Sequence, residues 1–292
     1  MEKITVRVPG KINLTLDILG RFANGYHDLQ MVMSSVSLYD EITLVKKEEK
    51  NISVTVDKRD LPVDERNLAY RAAALLMEEF ALTGGVEIAI KKQIPIAAGM
   101  AGGSADAAGV LKGMNSLFEL GLELPELQKR GLTLGADVPF CLLGGCALAE
   151  GVGERLTPLE PLPRAYLVLA KPDFAVSTPW AFAQWDKEPT KERPDLAGML
   201  AGIKEGDIRQ IAAKLGNVLE GVTGREYPVV WAIKEKMKEY GALNALMTGS
   251  GPTVFGIYTE LEQAKRAHTV IKESRMAGEV HVVKLGEWEE GR

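Results

Sequence analysis

Cysteine is nearly missing from these 292 residues: there are two, Cys141 and Cys146. So few thiols rule out a disulfide framework, and their spacing, with no second pair, is not that of a zinc site. They read as reduced, buried small hydrophobes of a cytoplasmic protein. Aromatic residues make up 6% of the chain and histidine occurs three times. No apolar run approaches the roughly 18 residues that a membrane span needs. The opening MEKITVRVPGKINL lacks the basic start, apolar core and small-residue cleavage site of a secretory signal. No block of like charge stands at either end, and the net charge is -5 with a pI of about 5.5. A nucleic-acid partner is therefore not expected, since it calls for a basic surface. A local basic pocket for a nucleotide is still allowed.

What is present is an ordinary folded composition, 46% hydrophobic and 26% charged, long enough for two domains. The first half is rich in short alternating runs. Residues 4–8 and 12–19 alternate on either side of Pro9-Gly10, which reads as a turn. Residues 32–38, 40–45 and 51–56 add strands of a mostly antiparallel sheet. Asn67 is placed to cap a helix over 67–80, and 85–90 is a strand. The prolines at 158, 161 and 163 suggest a boundary, giving domains 1–160 and 161–292. The second domain ends in helix (228–240), strand (244–247), strand (253–258), helix (262–273) and strand (280–285), an order that suits a ferredoxin-like α+β layer. The polar stretch 186–210, broken by Pro189 and Pro194, reads as short helices and loops.

The most informative stretch joins the strand at 85–90 to the next helix: Ile94-Pro95-Ile96-Ala97-Ala98-Gly99-Met100-Ala101-Gly102-Gly103-Ser104. Its glycines let backbone approach a ligand, and the helix N-terminus behind them offers unpaired N–H groups and a partial positive charge, which suits phosphates. Ser104, at the expected helix cap, offers a hydroxyl to a phosphate or to its Mg²⁺. The alternative is a strand–helix joint whose glycines serve only tight packing. Neither the Walker pattern nor a Rossmann GxGxxG is present.

The run 94–108 resembles the ATP-phosphate motif of the GHMP kinases, the family of galactokinase, homoserine kinase, mevalonate kinase and phosphomevalonate kinase. Pro9-Gly10-Lys11-Ile12-Asn13-Leu14-Thr15-Leu16 resembles the family's first motif, and Met247-Thr248-Gly249-Ser250-Gly251-Pro252-Thr253-Val254-Phe255 its third. Three motifs in order are far more specific than any one. The stretch 21–30, with Asn24-Gly25-Tyr26-His27, and Gly135-Ala136-Asp137-Val138-Pro139-Phe140 resemble a branch of that family whose alcohol substrate carries a cytidine diphosphate. The resemblance implies an α+β GHMP kinase fold: an N-terminal βα layer of the ribosomal-protein-S5-like domain 2 type and a C-terminal ferredoxin-like domain. It implies ATP and Mg²⁺ as cofactors and transfer of a phosphoryl group to the 2-hydroxyl of the substrate. A monomer or weak homodimer, with no membrane or nucleic-acid partner, is expected.

The resemblance also implies roles. Asp137 matches the family's catalytic aspartate, which accepts or orients the attacking hydroxyl; read from the residues alone, Gly-Ala-Asp also suits a cap or turn. Lys11 matches the lysine that neutralises the transferred phosphoryl; alone it reads as an exposed turn lysine. Pro95, Ala97, Gly99, Met100, Ala101, Gly102, Gly103 and Ser104 would line the nucleotide, with Asn67 near the adenine or simply capping its helix. Asn13, Thr178, Gly249 and Ser250 would meet the substrate, Asp137 with them. Tyr26 and His27 would stack on and read the cytosine, with Phe182 on its other face, unless Trp180 or Trp185 is the stacker. Asp106 suits the first helical turn, where a carboxylate answers the dipole; a magnesium role is the lesser reading. Other GHMP kinases of the homoserine or mevalonate type, and a catalytically silent GHMP-fold binder, are the competing readings.

Overall fold

The structure is a computed structural model that describes residues 2–59 and 61–286. It divides into two compact units. The first comprises the chain up to Gly10, Leu38–Ile94 and Ala101–Gly144; the second comprises Lys11–Ser37, Pro95–Met100 and the chain from Gly145.

Two long strands contribute to both units. β1 runs Lys3–Arg21 and β2 His27–Lys47. The expected turn at Pro9-Gly10 is not one. The strand runs through it, because both residues tolerate extended backbone and Gly10 keeps an ordinary φ. The runs at 32–38 and 40–45 are likewise one strand. Period two explains what β1 does in the second unit. Ile12, Leu14, Leu16 and Ile18 point one way and are buried, while Lys11, Asn13 and Thr15 point the other and are buried as well. A strand buried on both faces with polar groups on one of them is holding those groups for a purpose or bonding them to backbone.

In the first unit β3 (Ile52–Val56) pairs parallel with β4 (Gly85–Lys91), which pairs antiparallel with the second half of β2. Four helices belong here: α1 (Leu68–Glu79), α2 (Gly102–Leu117), α3 (Leu124–Leu134) and α4 (Val138–Leu143). α2 is the most buried and lies directly on the sheet. A Cβ on Gly109 would stand 2.2 Å from Ile42 Cδ1, and one on Gly113 2.5 Å from Leu44 Cδ1. Two glycines one turn apart thus set how close helix and strand approach.

In the second unit the first half of β2 pairs with β5 (Cys146–Gly151), which pairs with β6 (Arg155–Pro158). β1 pairs parallel with the short β8 (Gly216–Asn217). A second sheet is formed by β7 (Tyr166–Lys171), β9 (Asn244–Met247), β10 (Val254–Tyr258) and β11 (Glu279–Lys284), in the order β11-β7-β10-β9 with every pair antiparallel. With α9 (Val229–Glu239) and α10 (Leu261–Glu273) this is the expected ferredoxin-like layer. Between β7 and α9 lie α5 (Thr178–Lys187), α6 (Leu196–Glu205), α7 (Ile208–Ala213) and α8 (Glu220–Glu226), so the stretch 186–210 carries the short helices and loops read there. Cys141 and Cys146 are buried and unbridged, and burial pushes the Cys146 thiol up to about 12.

Candidate active site

The strand–helix joint has an unusual backbone. Ala97, Gly99 and Ala101 have φ of 50°, 73° and 59°, and Ala98 and Met100 between them do not have positive φ. Alternating signs turn successive N–H groups toward one concavity, the geometry of an anion nest. Two of the three left-handed residues are alanines, a cost of roughly 1–3 kcal/mol each that backbone strain at ligand sites typically carries. Ala101 is also the residue that caps α2, so the helix begins at Gly102 and not near Ser104 as expected; Ser104 is the third residue of the helix. The left-handed residue ends the loop earlier than a serine cap would. Met100 is buried and offers the site only its backbone.

In the second unit three sequence motifs converge. Lys11 N donates to Met100 O at 3.2 Å, and Lys11 Nζ to Asn13 Oδ1 at 2.8 Å. Asn13 N donates to Thr248 Oγ1 at 3.0 Å. A Cβ on Gly99 would stand 2.3 Å from Thr248 O, and one on Gly249 3.0 Å from Gly99 O. Both positions therefore need glycine, and Gly249 needs it again for its φ of 58°. Thr248 is thus the joint between the strand, the loop and the third motif. Sequence reading passed over it, although a buried hydroxyl beside a glycine turn was the available signal. Asn217 Nδ2 fixes the same turn from below, donating to Met247 O and Gly249 O at 2.8 Å each.

A second constellation in this unit is organised by α5. Ser177 accepts from Trp180 N at the helix start, and Thr178, Phe182, Trp185 and Asp186 then fall on one face. Thr178 Oγ1 lies 2.9 Å from Ser250 Oγ. One turn on, the Phe182 ring stacks on His27 with centroids 4.6 Å apart and planes at 22°. Trp185 meets the same imidazole edge-on at 6.2 Å. Asp186 Oδ1 lies 2.8 Å from His27 Nε2. Trp180 belongs elsewhere, against Tyr227. Tyr26 is 65% exposed, open to a ligand ring.

In the first unit Asp137 stands at the start of α4, where its carbonyl accepts from Cys141 N but its carboxylate makes no capping bond. The cap reading therefore does not account for the side chain. Ser104 Oγ faces the same turn: a Cβ on Gly135 would stand 3.8 Å from it. Asn67 does cap α1, accepting from Ala69 N at 2.9 Å and donating to Pro62 O at 2.7 Å. Behind the loop lies a buried ionic cluster that sequence reading missed. Lys92 Nζ donates to Asp40 Oδ2 and, at 2.7 Å, to Asp106 Oδ2. Asp40 Oδ1 accepts from Gln93 N and Ile94 N at 2.7 and 2.9 Å. Lys92 thus takes one oxygen of Asp106, while the buried Oδ1 has no hydrogen-bond partner among the described residues. Burial pushes its carboxyl up to about 7, with Lys92 opposing and Asp40 adding to the shift. Among the described residues no group of three or more His, Cys, Asp or Glu could hold a metal ion.

Comparison with known proteins agrees with this arrangement. The GHMP kinases N terminal domain profile matches residues 67–145 and the GHMP kinases C terminal profile residues 199–275. A 4-diphosphocytidyl-2-C-methyl-D-erythritol kinase from Lachnospira eligens is 46% identical over 281 residues, 96% of this chain and 98% of that protein. The protein of the same name from Caldicellulosiruptor saccharolyticus is 48% identical over 267 residues, 90% of this chain and 92% of its own. Among solved structures, a 4-(cytidine 5'-diphospho)-2C-methyl-D-erythritol kinase matches with a TM-score of 0.83 at 33% identity, covering 98% of this chain and 100% of that one. The homoserine kinase of Cytophaga hutchinsonii, at 21% identity, shares the fold with a TM-score of 0.76 over 98% of this chain and 95% of its own. With an alternating-φ loop before α2, three converging motifs and relatives of this identity along nearly its whole length, the chain belongs to the GHMP kinase family.

Proposed function

We propose that this chain is an ATP-dependent kinase that phosphorylates the 2-hydroxyl of 4-diphosphocytidyl-2-C-methyl-D-erythritol, in the methylerythritol phosphate route to isoprenoids. The observation that favours this substrate over other alcohols is the single face of α5, which joins Thr178 and Ser250 at one end to the His27–Phe182 stack one turn away. An alcohol such as homoserine or mevalonate has no flat base to place on Tyr26, His27 and Phe182. A diphosphate and ribose separate the base of the proposed substrate from its reacting alcohol, which suits hydroxyls and glycine N–H groups at one end of the face and rings at the other.

Phosphoryl transfer asks for positioning and charge neutralisation. Pro95, Ala97, Gly99, Met100, Ala101, Gly102, Gly103 and Ser104 supply the nest and helix N-terminus for the ATP phosphates, with Asn67 at the edge of the nucleotide. Asn13, Thr178, Gly249 and Ser250 hold the substrate. The 2-hydroxyl oxygen attacks the γ-phosphorus and gives its proton to the Asp137 carboxylate; the bond from that phosphorus to the bridging oxygen breaks, and ADP leaves. The Lys11 ammonium, held by Asn13, offsets charge on the moving phosphoryl. Mg²⁺ would be held by the ATP phosphates and water, with the Ser104 hydroxyl available to it, and would offset phosphate charge. No described helix is long and apolar enough to cross a membrane; the proposed setting is the cytoplasm, with the chain a monomer or weak homodimer.

The test is ³¹P NMR of the products after incubation with MgATP and the cytidine substrate. A new phosphomonoester on the methylerythritol moiety is expected. A phosphate elsewhere on the molecule, or inorganic phosphate alone, would contradict the assignment.

A further inference from the structure

The partner of His27 has a consequence for base selection, given the kinase reading above. A carboxylate can only accept, so the imidazole nitrogen facing Asp186 Oδ1 at 2.8 Å carries the proton. That nitrogen is Nε2. The other, Nδ1, has no hydrogen-bond partner among the described residues. The ring cannot turn to exchange them, because Phe182 stacks on its face and Trp185 closes its edge, and the side chain is only 11% exposed. Asp186 is itself held by Arg21, whose Nη1 lies 3.4 Å from Oδ2 and whose Nε donates to Gly25 O at 2.9 Å in the turn before Tyr26.

We propose that Asp186 is a positioning residue that makes the site select cytosine over uracil. By accepting the hydrogen bond from the Nε2–H of His27 it leaves Nδ1 a bare acceptor. Cytosine offers that acceptor an exocyclic amine; uracil presents a carbonyl at the same place, lone pair against lone pair. The opposite tautomer would reverse the preference. A site that leaves a polar group opposed by the wrong partner discriminates by about tenfold or more. Asp186 lies about two helical turns from Thr178, follows Phe182 by four residues on the same helix face, and acts only through the histidine.

The experiment uses CDP and UDP themselves as probes, titrated at pH 8 into the full-length protein and into Asp186→Asn. A carboxamide is nearly the same shape but can accept from Nε2–H or donate to a bare Nε2, so it no longer dictates the tautomer. The wild type is expected to bind CDP at least about tenfold more tightly than UDP, and Asp186→Asn to bring the two within about threefold, while affinity for an ATP analogue stays unchanged. ¹⁵N NMR of the His27 ring should show a bare Nδ1 in the wild type and a mixture in the variant. If Asp186→Asn keeps the full preference, or if Nδ1 carries a proton in the wild type, the inference is overturned. Equal binding of CDP and UDP by the wild type would overturn it while leaving the kinase reading in place. Binding of neither would contradict the cytidine substrate, and this inference with it. Asp186→Leu, which removes the partner outright, checks that the loss of preference follows the hydrogen bond and not the added amide.

Discussion

Lys92 donates a 2.7 Å hydrogen bond to Asp106 in an interior where their side chains are 3% and 6% exposed. The same ammonium holds Asp40, whose other oxygen takes the N–H groups of Gln93 and Ile94 at the entrance to the glycine-rich loop. One cation therefore joins β2, the exit of β4 and the first turns of α2. Removing it strands the buried Asp40 carboxylate and leaves Asp106 without its donor. Lys92→Met should cost roughly 3–5 kcal/mol of stability, the range for breaking a buried pair from one side. Urea denaturation reads this directly, and a loss under about 1 kcal/mol would mean that water reaches the cluster.

The pH dependence of stability has a definite sign at Asp106. Its carboxyl is pushed up to about 7 in the folded protein, chiefly by burial, against about 4 in an unfolded chain. Between those values the native state holds a proton that the unfolded state has released. The associated stability is fully present below pH 4 and is lost as pH rises through 7. Asp106→Asn removes the titration. Denaturation midpoints from pH 5 to 8 should therefore fall more steeply for the wild type than for the variant, and parallel curves would count against a protonated Asp106.

Gly102 sits directly over that cluster. A Cβ there would stand 3.3 Å from both Lys92 Nζ and Ile94 Cγ2. Gly102→Val should push the helix start off its seat and weaken ATP-analogue binding by about tenfold or more, from the lost anion contacts at the helix N-terminus. CDP binding should hold, since the rings and hydroxyls on the α5 face belong to the other unit. Equal loss of both ligands would point to general unfolding and not to the loop.

Asp137→Asn should leave nucleotide and substrate binding nearly intact and lower turnover by about 10²-fold or more, the scale of a general-base contribution. The carboxamide keeps the shape at the start of α4 but cannot take the proton. Single-turnover kinetics separates the two steps. Wild-type turnover would remove Asp137 as the base.

How much of this was legible in the sequence differs by residue. The three motifs were visible because glycines in fixed company carry a backbone meaning, and Asn67 was visible as a cap because its chemistry is local. The long strands were not. Pro9-Gly10 carries a turn preference that burial on both faces of β1 overrides. Ser104 lost the cap to Ala101, an alanine in a conformation that sequence statistics assign to glycine. Thr248, Lys92 and Asp186 act through partners 235, 52 and 159 residues away, and no local pattern announces such pairs. Phe182 was separable from Trp180 only once the helix face was known.

The proposed substrate is the cytidine-bearing alcohol. A coupled ATP-consumption assay with purified protein and Mg²⁺, comparing 4-diphosphocytidyl-2-C-methyl-D-erythritol with homoserine and mevalonate, tests it most directly. Turnover is expected with the cytidine compound and not with the other two. Turnover with homoserine or mevalonate and none with the cytidine compound would contradict it, leaving the GHMP kinase fold but removing the substrate assigned to Tyr26, His27 and Phe182.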